Sequence, residues 1–143
     1  MIKAVFLDVD GVMTDGTKLY DSNHNCIGKR FCDRDFTAIH RMQKAGLYVS
    51  LISGDNWNIG VSVFRKIPII ISRDEKLERV KEFGYKPEEV VYVGDDIFDI
   101  PLLKWCGKPY CSYDAIWEVK EVAKSLSLGG HGVVADLWQE LYG

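Results

Sequence analysis

Two carboxylates stand two residues apart near the start of the chain: Asp8 and Asp10, within KAVFLDVDGVMTDG at residues 3–16. Like charges this close repel, so the pair calls for a cation, a shared proton or solvent. A hard ion such as Mg²⁺, which takes carboxylate oxygen, is the simplest answer. The local alternative is a turn, because Asp and Gly are common turn formers. Three more polar groups follow: Ser53-Gly54-Asp55, then Lys76, then Gly94-Asp95-Asp96 with Asp99. Each has a plain reading as well. Ser-Gly-Asp closes turns, a lone lysine is normally solvated, and Asp95-Asp96 can cap the helix that follows. Chemistry requires that these groups meet.

The flanking residues say how they would meet. Residues 4–7 (AVFL) form an apolar run that ends at Asp8, as expected of a strand buried on both faces. Residues 47–52 (LYVSLI) end at Ser53, and residues 90–93 (VVYV) end at the GDD cluster. Residues 68–71 and 109–111 read as further short strands, with Pro68 tolerated at a strand's first position. Helices are expected between them. The first is capped by Asp33 or Asp35, shows Phe36, Ile39, His40 and Met42 on its apolar side, and stops at Ala45-Gly46. The second covers 57–66 with Ile59, Val63 and Phe64 inward, and the third covers 74–83 and carries Lys76. Helices at 97–105, 114–123 and 133–142 follow; Pro101 falls near a first turn, and the last buries Val134, Leu137, Trp138 and Leu141.

Strands alternating with helices predict an α/β fold, a three-layer Rossmann-like parallel sheet with helices on both faces. In such a sheet the C-terminal strand ends share one edge. Asp8, Asp10, Ser53, Lys76, Asp95, Asp96 and Asp99 would converge there. Two half-polar strands at 17–21 and 26–32, joined by Ser22-Asn23-His24-Asn25, read as a β-hairpin. It leaves the sheet just after the carboxylate pair and is placed to cover the site as a flap.

Composition narrows the partners. A length of 143 residues suits one domain, residues 1–143, with a real core. The net charge of −3, with both signs mixed along the chain, argues against a nucleic-acid binder. No apolar run reaches membrane-spanning length, and the N-terminus runs straight into the first strand, leaving no room for a signal peptide. Cys26, Cys32, Cys106 and Cys111 show neither C-x-x-C nor zinc spacing, which fits reduced thiols in a cytoplasmic protein.

The order D-x-D-G, Ser, Lys, G-D-D-x-x-D resembles the haloacid dehalogenase superfamily of phosphohydrolases, and among them the small cap-less sugar-acid phosphatases. The matching stretches are FLDVDGVMTDG, then Phe31, Arg34 and Asp35 after the hairpin, KAGLYVSLISG, VVYVGDDIFDIPLLK, and GG-x-G at 129–132. The resemblance implies Asp8 as the nucleophile that takes the phosphoryl group, and Asp10 as general acid and then base. It implies Mg²⁺ held by Asp8, Asp10 and Asp95, with Asp96 and Asp99 in support. Ser53 and the Gly54 N–H would hold phosphoryl oxygens, Lys76 would neutralise charge, and Arg34 would bind substrate. The implied substrate is a small phosphorylated metabolite, a sugar or sugar-acid phosphate; a nucleotide, or a catalytically idle module on the same fold, are the alternatives. A homo-oligomer is implied, a tetramer whose neighbours close the open site. A phosphoacceptor receiver domain is set aside, because its accepting Asp ends a middle strand and here that strand ends in Ser53. Two positions depart from the pattern at the substrate end: Ala135 stands where the family has Arg, and Phe36 where it has Gly.

Overall fold

The computed structural model describes residues 1–143. The first strand, β1 (Ala4–Asp8), is buried along its whole length. Its side chains sort by the period of two that a pleated strand imposes. Val5 and Leu7 join one core with Ile39, Met42, Val49 and Leu137, while Ala4 and Phe6 join the other with Ile52, Val80, Tyr92 and Leu102. Each fully buried Leu, Ile or Phe contributes about 1.5–3 kcal/mol, so two filled faces anchor this strand between the two cores.

Five more strands lie parallel in the same sheet: β4 (Tyr48–Ser53), β5 (Ile69–Ile71), β6 (Val90–Gly94), β7 (Lys108–Cys111) and β8 (Lys124–Ser125). The order across the sheet is β5-β4-β1-β6-β7-β8. Asp8 lies beside Ile52 in the register with β4, and Leu7 beside Val93 in the register with β6. Helices α1 (Asp33–Lys44) and α6 (Val133–Tyr142) cover the Val5 face. Helices α3 (Lys76–Lys81), α4 (Ile100–Trp105) and α5 (Trp117–Lys120) cover the other. The hairpin is β2 (Leu19–Tyr20) paired antiparallel with β3 (Cys26–Gly28), a separate two-stranded ribbon. The α/β sandwich is the one expected, with the flap outside the main sheet.

Four local expectations are corrected. Neither Asp33 nor Asp35 caps α1; Cys32 sits at its N-terminus without a side-chain bond. The Asp35 Oδ1 instead accepts the Val134 and Ala135 N–H groups at 3.0 Å each, capping α6 from across the core. The second helix is shorter, α2 (Ile59–Arg65), after a tight turn Asn56–Asn58. Ile59, Val63 and Phe64 face outward, at 43%, 71% and 80% exposure, and Val61 packs on the core in their place. A seven-residue helix at the sheet margin has one inward position, and apolar residues on two of its sides gave the periodicity no unique answer. The helix expected over 114–123 is only the single turn of α5, and the chain then pairs as β8 beside β7, a strand too short to show a pattern. The hairpin strands are likewise shorter than 17–21 and 26–32.

Candidate active site

Adjacent strands β4, β1 and β6 deliver Ser53, Asp8 and Asp95 to one edge. Asp8 ends β1, Ser53 ends β4, and Asp95 follows β6 directly. Past Asp8 the chain makes the turn Val9–Met13, in which Asp10 is extended and Gly11 takes a positive φ of 88°. A Cβ on Gly11 would sit 1.7 Å from Asp95 Oδ2, so only glycine lets the two acidic loops pack together. Lys76 is the first residue of α3, which brings its ammonium to the same point. A polar cleft of 280 Å³ is lined by Asp8, Asp10, Ser53, Gly54, Lys76, Asp95, Asp96 and Asp99, with Lys18, Asp55, Arg73 and Phe98 at its rim.

The floor of the cleft is a saturated network. Lys76 Nζ, with its side chain 6% exposed, lies 2.6 Å from Asp99 Oδ1, 3.4 Å from Asp8 Oδ1 and 3.4 Å from the Tyr92 hydroxyl. Tyr92 donates to the same Asp99 oxygen. Asp99 Oδ2 accepts the Asp95 and Asp96 N–H groups at 2.9 and 3.1 Å. A Cβ on Gly94 would fall 2.6 Å from Asp99 Cβ, so glycine is what lets the turn Ile97–Asp99 fold back on β6. Asp96 accepts the Ile97 N–H at 2.7 Å and caps that turn. Between capping and metal support, its bonds in the fold are those of a cap.

The second cluster lies on the β4 side. Ser53 Oγ accepts the Asp55 N–H at 3.0 Å and Asn58 Nδ2 at 2.8 Å, leaving its own proton free to be donated. Asn58, fully buried, also donates to Asp10 Oδ2 at 3.1 Å. Lys29, arriving from the flap, reaches Asp10 and Asp55. Lys18 adds an ion pair to Asp55 at 3.1 Å.

Electrostatics divides these acids. Burial, then the charge of Asp99, pushes the Asp8 carboxyl well above the usual range against the pull of Lys76. Burial likewise pushes Asp95 up to about 6, with Asp99 and Asp96 adding to it. Burial opposes ionisation of Asp99 too, but the Lys76 ammonium and the bonds from Tyr92 and the backbone outweigh it and hold that carboxyl down. Lys76 is drawn down by burial and carried above its ordinary value by Asp8 and Asp99.

The donor set fits a divalent cation. One carboxylate oxygen each from Asp8, Asp95 and Asp99 lies within 4.8 Å of the others. Asp99 is already committed to Lys76, Tyr92 and two N–H groups. Asp8 and Asp95 are the pair with oxygen to spare, and both resist ionising side by side, which is the condition a cation relieves.

Arg34 does not join this cleft. It lines an outer groove between α1 and α6 with Thr37, Arg41, Ala135 and Trp138. Lys29, Asn58, Tyr92 and Arg73 were not singled out by the sequence. Tyr92 carried a signal: a tyrosine inside a buried strand needs a partner for its hydroxyl. Lys29 in a half-polar hairpin and Asn58 in a helix start carried none.

Known proteins are similar to this chain in sequence and in fold. The 3-deoxy-D-manno-octulosonate 8-phosphate phosphatase KdsC of Haemophilus influenzae is 34% identical over 138 residues, covering 92% of this chain and 76% of that protein. KdsC of Escherichia coli K12 is 29% identical over 124 residues, and this chain spans 64% of its length. The cobalt-bound structure of the deoxy-D-mannose-octulosonate 8-phosphate phosphatase from H. influenzae superposes with a TM-score of 0.86 at 29% identity, over 98% of this chain and 86% of that one. No family model matches the chain. The sheet with its acidic strand ends, together with 34% identity across three-quarters of a phosphatase, places the chain in the haloacid dehalogenase superfamily, as a KdsC-like phosphoric monoester hydrolase.

Proposed function

We propose that this chain hydrolyses the phosphate monoester of a small sugar or sugar acid, most like 3-deoxy-D-manno-octulosonate 8-phosphate, through an aspartyl-phosphate on Asp8. The observation that carries the reading is the company Asp8 keeps. It is 7% exposed at the end of β1, with Lys76 at 3.4 Å and Asp95 beside it. In the first step an Asp8 oxygen bonds to phosphorus as the ester P–O bond breaks, and Asp10 gives its proton to the leaving oxygen. In the second, Asp10 takes a proton from water as the water oxygen bonds to phosphorus and Asp8 is released. Ser53 and the Gly54 N–H hold phosphoryl oxygens, and Lys76 stabilises the charge that gathers on Asp8 and the transferring group. Mg²⁺ bound by Asp8, the Asp10 backbone carbonyl and Asp95 would offset the repulsion between nucleophile and substrate.

Leaving-group recognition falls to the rim. Lys18 and Arg73 are the cations there, and Arg73 makes no ion pair within the chain. They are the groups suited to a substrate carboxylate, since Arg34 and Ala135 lie in the outer groove. We further propose a single-domain, cap-less cytoplasmic enzyme that works as a homotetramer. Exposed Leu19 and Ile27 on the hairpin and Val63 and Phe64 on α2 support the assembly as apolar surface beside an open site.

Asp8→Asn tests the reading. Turnover of the preferred ester is expected to fall at least about 10³-fold with the melting curve unchanged; an active variant overturns the nucleophile. Chelation by EDTA is expected to silence the wild type and added Mg²⁺ to restore it. Ranking sugar phosphates, sugar-acid phosphates and nucleotides by kcat/KM names the leaving group.

A further inference from the structure

The flap carries a lysine that none of the chemistry above uses. Lys29 follows β3, and its side chain is fully buried, at 0% exposure. Its ammonium lies 2.8 and 3.0 Å from the two Asp10 oxygens, 2.7 Å from Asp55 Oδ2 and 3.1 Å from Asn58 Oδ1. Three donors thus meet three partners on two segments, the turn after β1 and the turn after β4. The Trp57 ring stands 5.1 Å away and closes that side of the ammonium. Asp55 is itself fixed, by the Trp57 N–H at 3.0 Å and by Lys18. Burial works against the Asp55 charge, and the bonds from Lys29, Trp57 and Lys18 overcome it and hold the carboxyl ionised.

A buried ammonium with this partner set is costly to place and strongly directional once placed. Asp10 sits on a turn whose backbone is not regular, and apart from Lys29 its carboxyl takes one further side-chain bond, from Asn58 Nδ2 at 3.1 Å. We propose that Lys29 is the positioning residue for Asp10: from the flap, it fixes the carboxyl that exchanges the proton with the leaving group and then with water. The proposal rests on the reading of Asp10 as the acid and base. It makes the flap part of the proton-transfer apparatus, so that lifting the hairpin would leave Asp10 held by Asn58 alone.

Positioning is worth most where the proton matters most. Phenyl phosphate and p-nitrophenyl phosphate share a shape and differ in how much their leaving oxygen needs a proton. The test compares kcat and KM for both esters in wild type, Lys29→Met, Lys29→Arg and Asp10→Asn, all with Mg²⁺. Asp10→Asn is expected to lower kcat on phenyl phosphate roughly 10-fold more than on p-nitrophenyl phosphate. Lys29→Met should reproduce that tilt with KM held within about 3-fold, and Lys29→Arg should recover part of it, since it keeps the charge while its planar fork fits the three partners less well. An equal loss on both esters in Lys29→Met, or no recovery in Lys29→Arg, overturns the proposal while leaving Asp10 as the acid. No tilt in Asp10→Asn overturns the reading of Asp10 itself, and the proposal with it. Should Lys29→Met fail to fold, Lys29→Gln replaces it under the same criteria.

Discussion

Two buried lysines serve the site, and each bridges two aspartates. Lys76 joins Asp8 to Asp99, and Lys29 joins Asp10 to Asp55. Their mountings differ. Lys76 opens α3 and leans on Tyr92 and Asp99, which belong to β6 and the turn after it. Lys29 follows the three-residue strand of a hairpin, and Leu19 and Ile27, one on each of its strands, are largely exposed. On the proposed mechanism, the half of the site that meets phosphorus is built on the sheet, and the half that handles the proton is built partly on its cover. Phosphoryl transfer depends on a fixed cage of charge, whereas a proton donor needs to meet leaving groups that come and go.

The largest effect should come from breaking the sheet-mounted pair. Lys76→Met leaves Asp8 and Asp99 buried with no cation, which costs about 3–5 kcal/mol when one partner of a buried pair is lost. Chemical denaturation should show that loss, and kcat should fall with it. A stable, inactive variant would mean the lysine serves chemistry alone. Tyr92→Phe removes one bond to the same charged oxygen and should cost about 2 kcal/mol, with a smaller fall in kcat. Were Tyr92→Phe as damaging as Lys76→Met, the network would owe its rigidity to the hydroxyl and the comparison between the lysines would lose its basis.

The contrast also marks what could be read in advance. Asp8, Asp10, Ser53 and Asp95 were legible because each stands at or just after an apolar run, and parallel strand ends must share an edge; Lys76, on a helix, was legible only through the order of the motifs. Lys29, Asn58 and Arg73 were not, because a flap or rim residue reaches the site by tertiary folding that no local pattern encodes. The orientation of α2 was hidden for a different reason: a seven-residue helix carried apolar side chains on two sides. Asp35 shows the longest reach. It looked like a cap for the helix it begins and instead caps α6, about a hundred residues on.

Asp35 gives a prediction with a definite pH sign. Its Oδ1 takes two N–H groups while Oδ2 is buried without a partner. Burial pushes the carboxyl from 3.8 up to about 6, against the pull of the α6 N–H groups and Arg34. A pKa raised on folding means that the folded state holds the proton more tightly. The stability this contributes is fully present below about 3.8 and is lost as pH rises through about 6. Asp35→Asn keeps the accepting oxygen and cannot ionise, so its stability relative to wild type should improve between pH 4 and 7.5 by up to about 2 kcal/mol. Paired denaturation curves at the two pH values check this. A difference that is constant with pH would mean that the α6 N–H groups cancel the effect of burial, and one that runs the other way would mean that they outweigh it.

The smallest effect on the fold should come from the outer face, and it bears on the cover. Phe64 is 80% exposed on α2, close to Phe31, Phe36 and Trp57, and these line a cleft of 490 Å³ on the flap side of the molecule. A charge there meets water in the monomer, so Phe64→Glu should change its stability by less than about 0.5 kcal/mol. In a tetramer the same charge would be buried against a neighbour, and light scattering should then show a smaller mass at unchanged secondary structure. If assembly holds the flap down, the dissociated variant should lose activity on phenyl phosphate before p-nitrophenyl phosphate, because only the proton-handling half depends on the hairpin. A wild type that is monomeric and fully active at micromolar concentration would refute the assembly and show that Lys29 alone suffices to keep the flap closed.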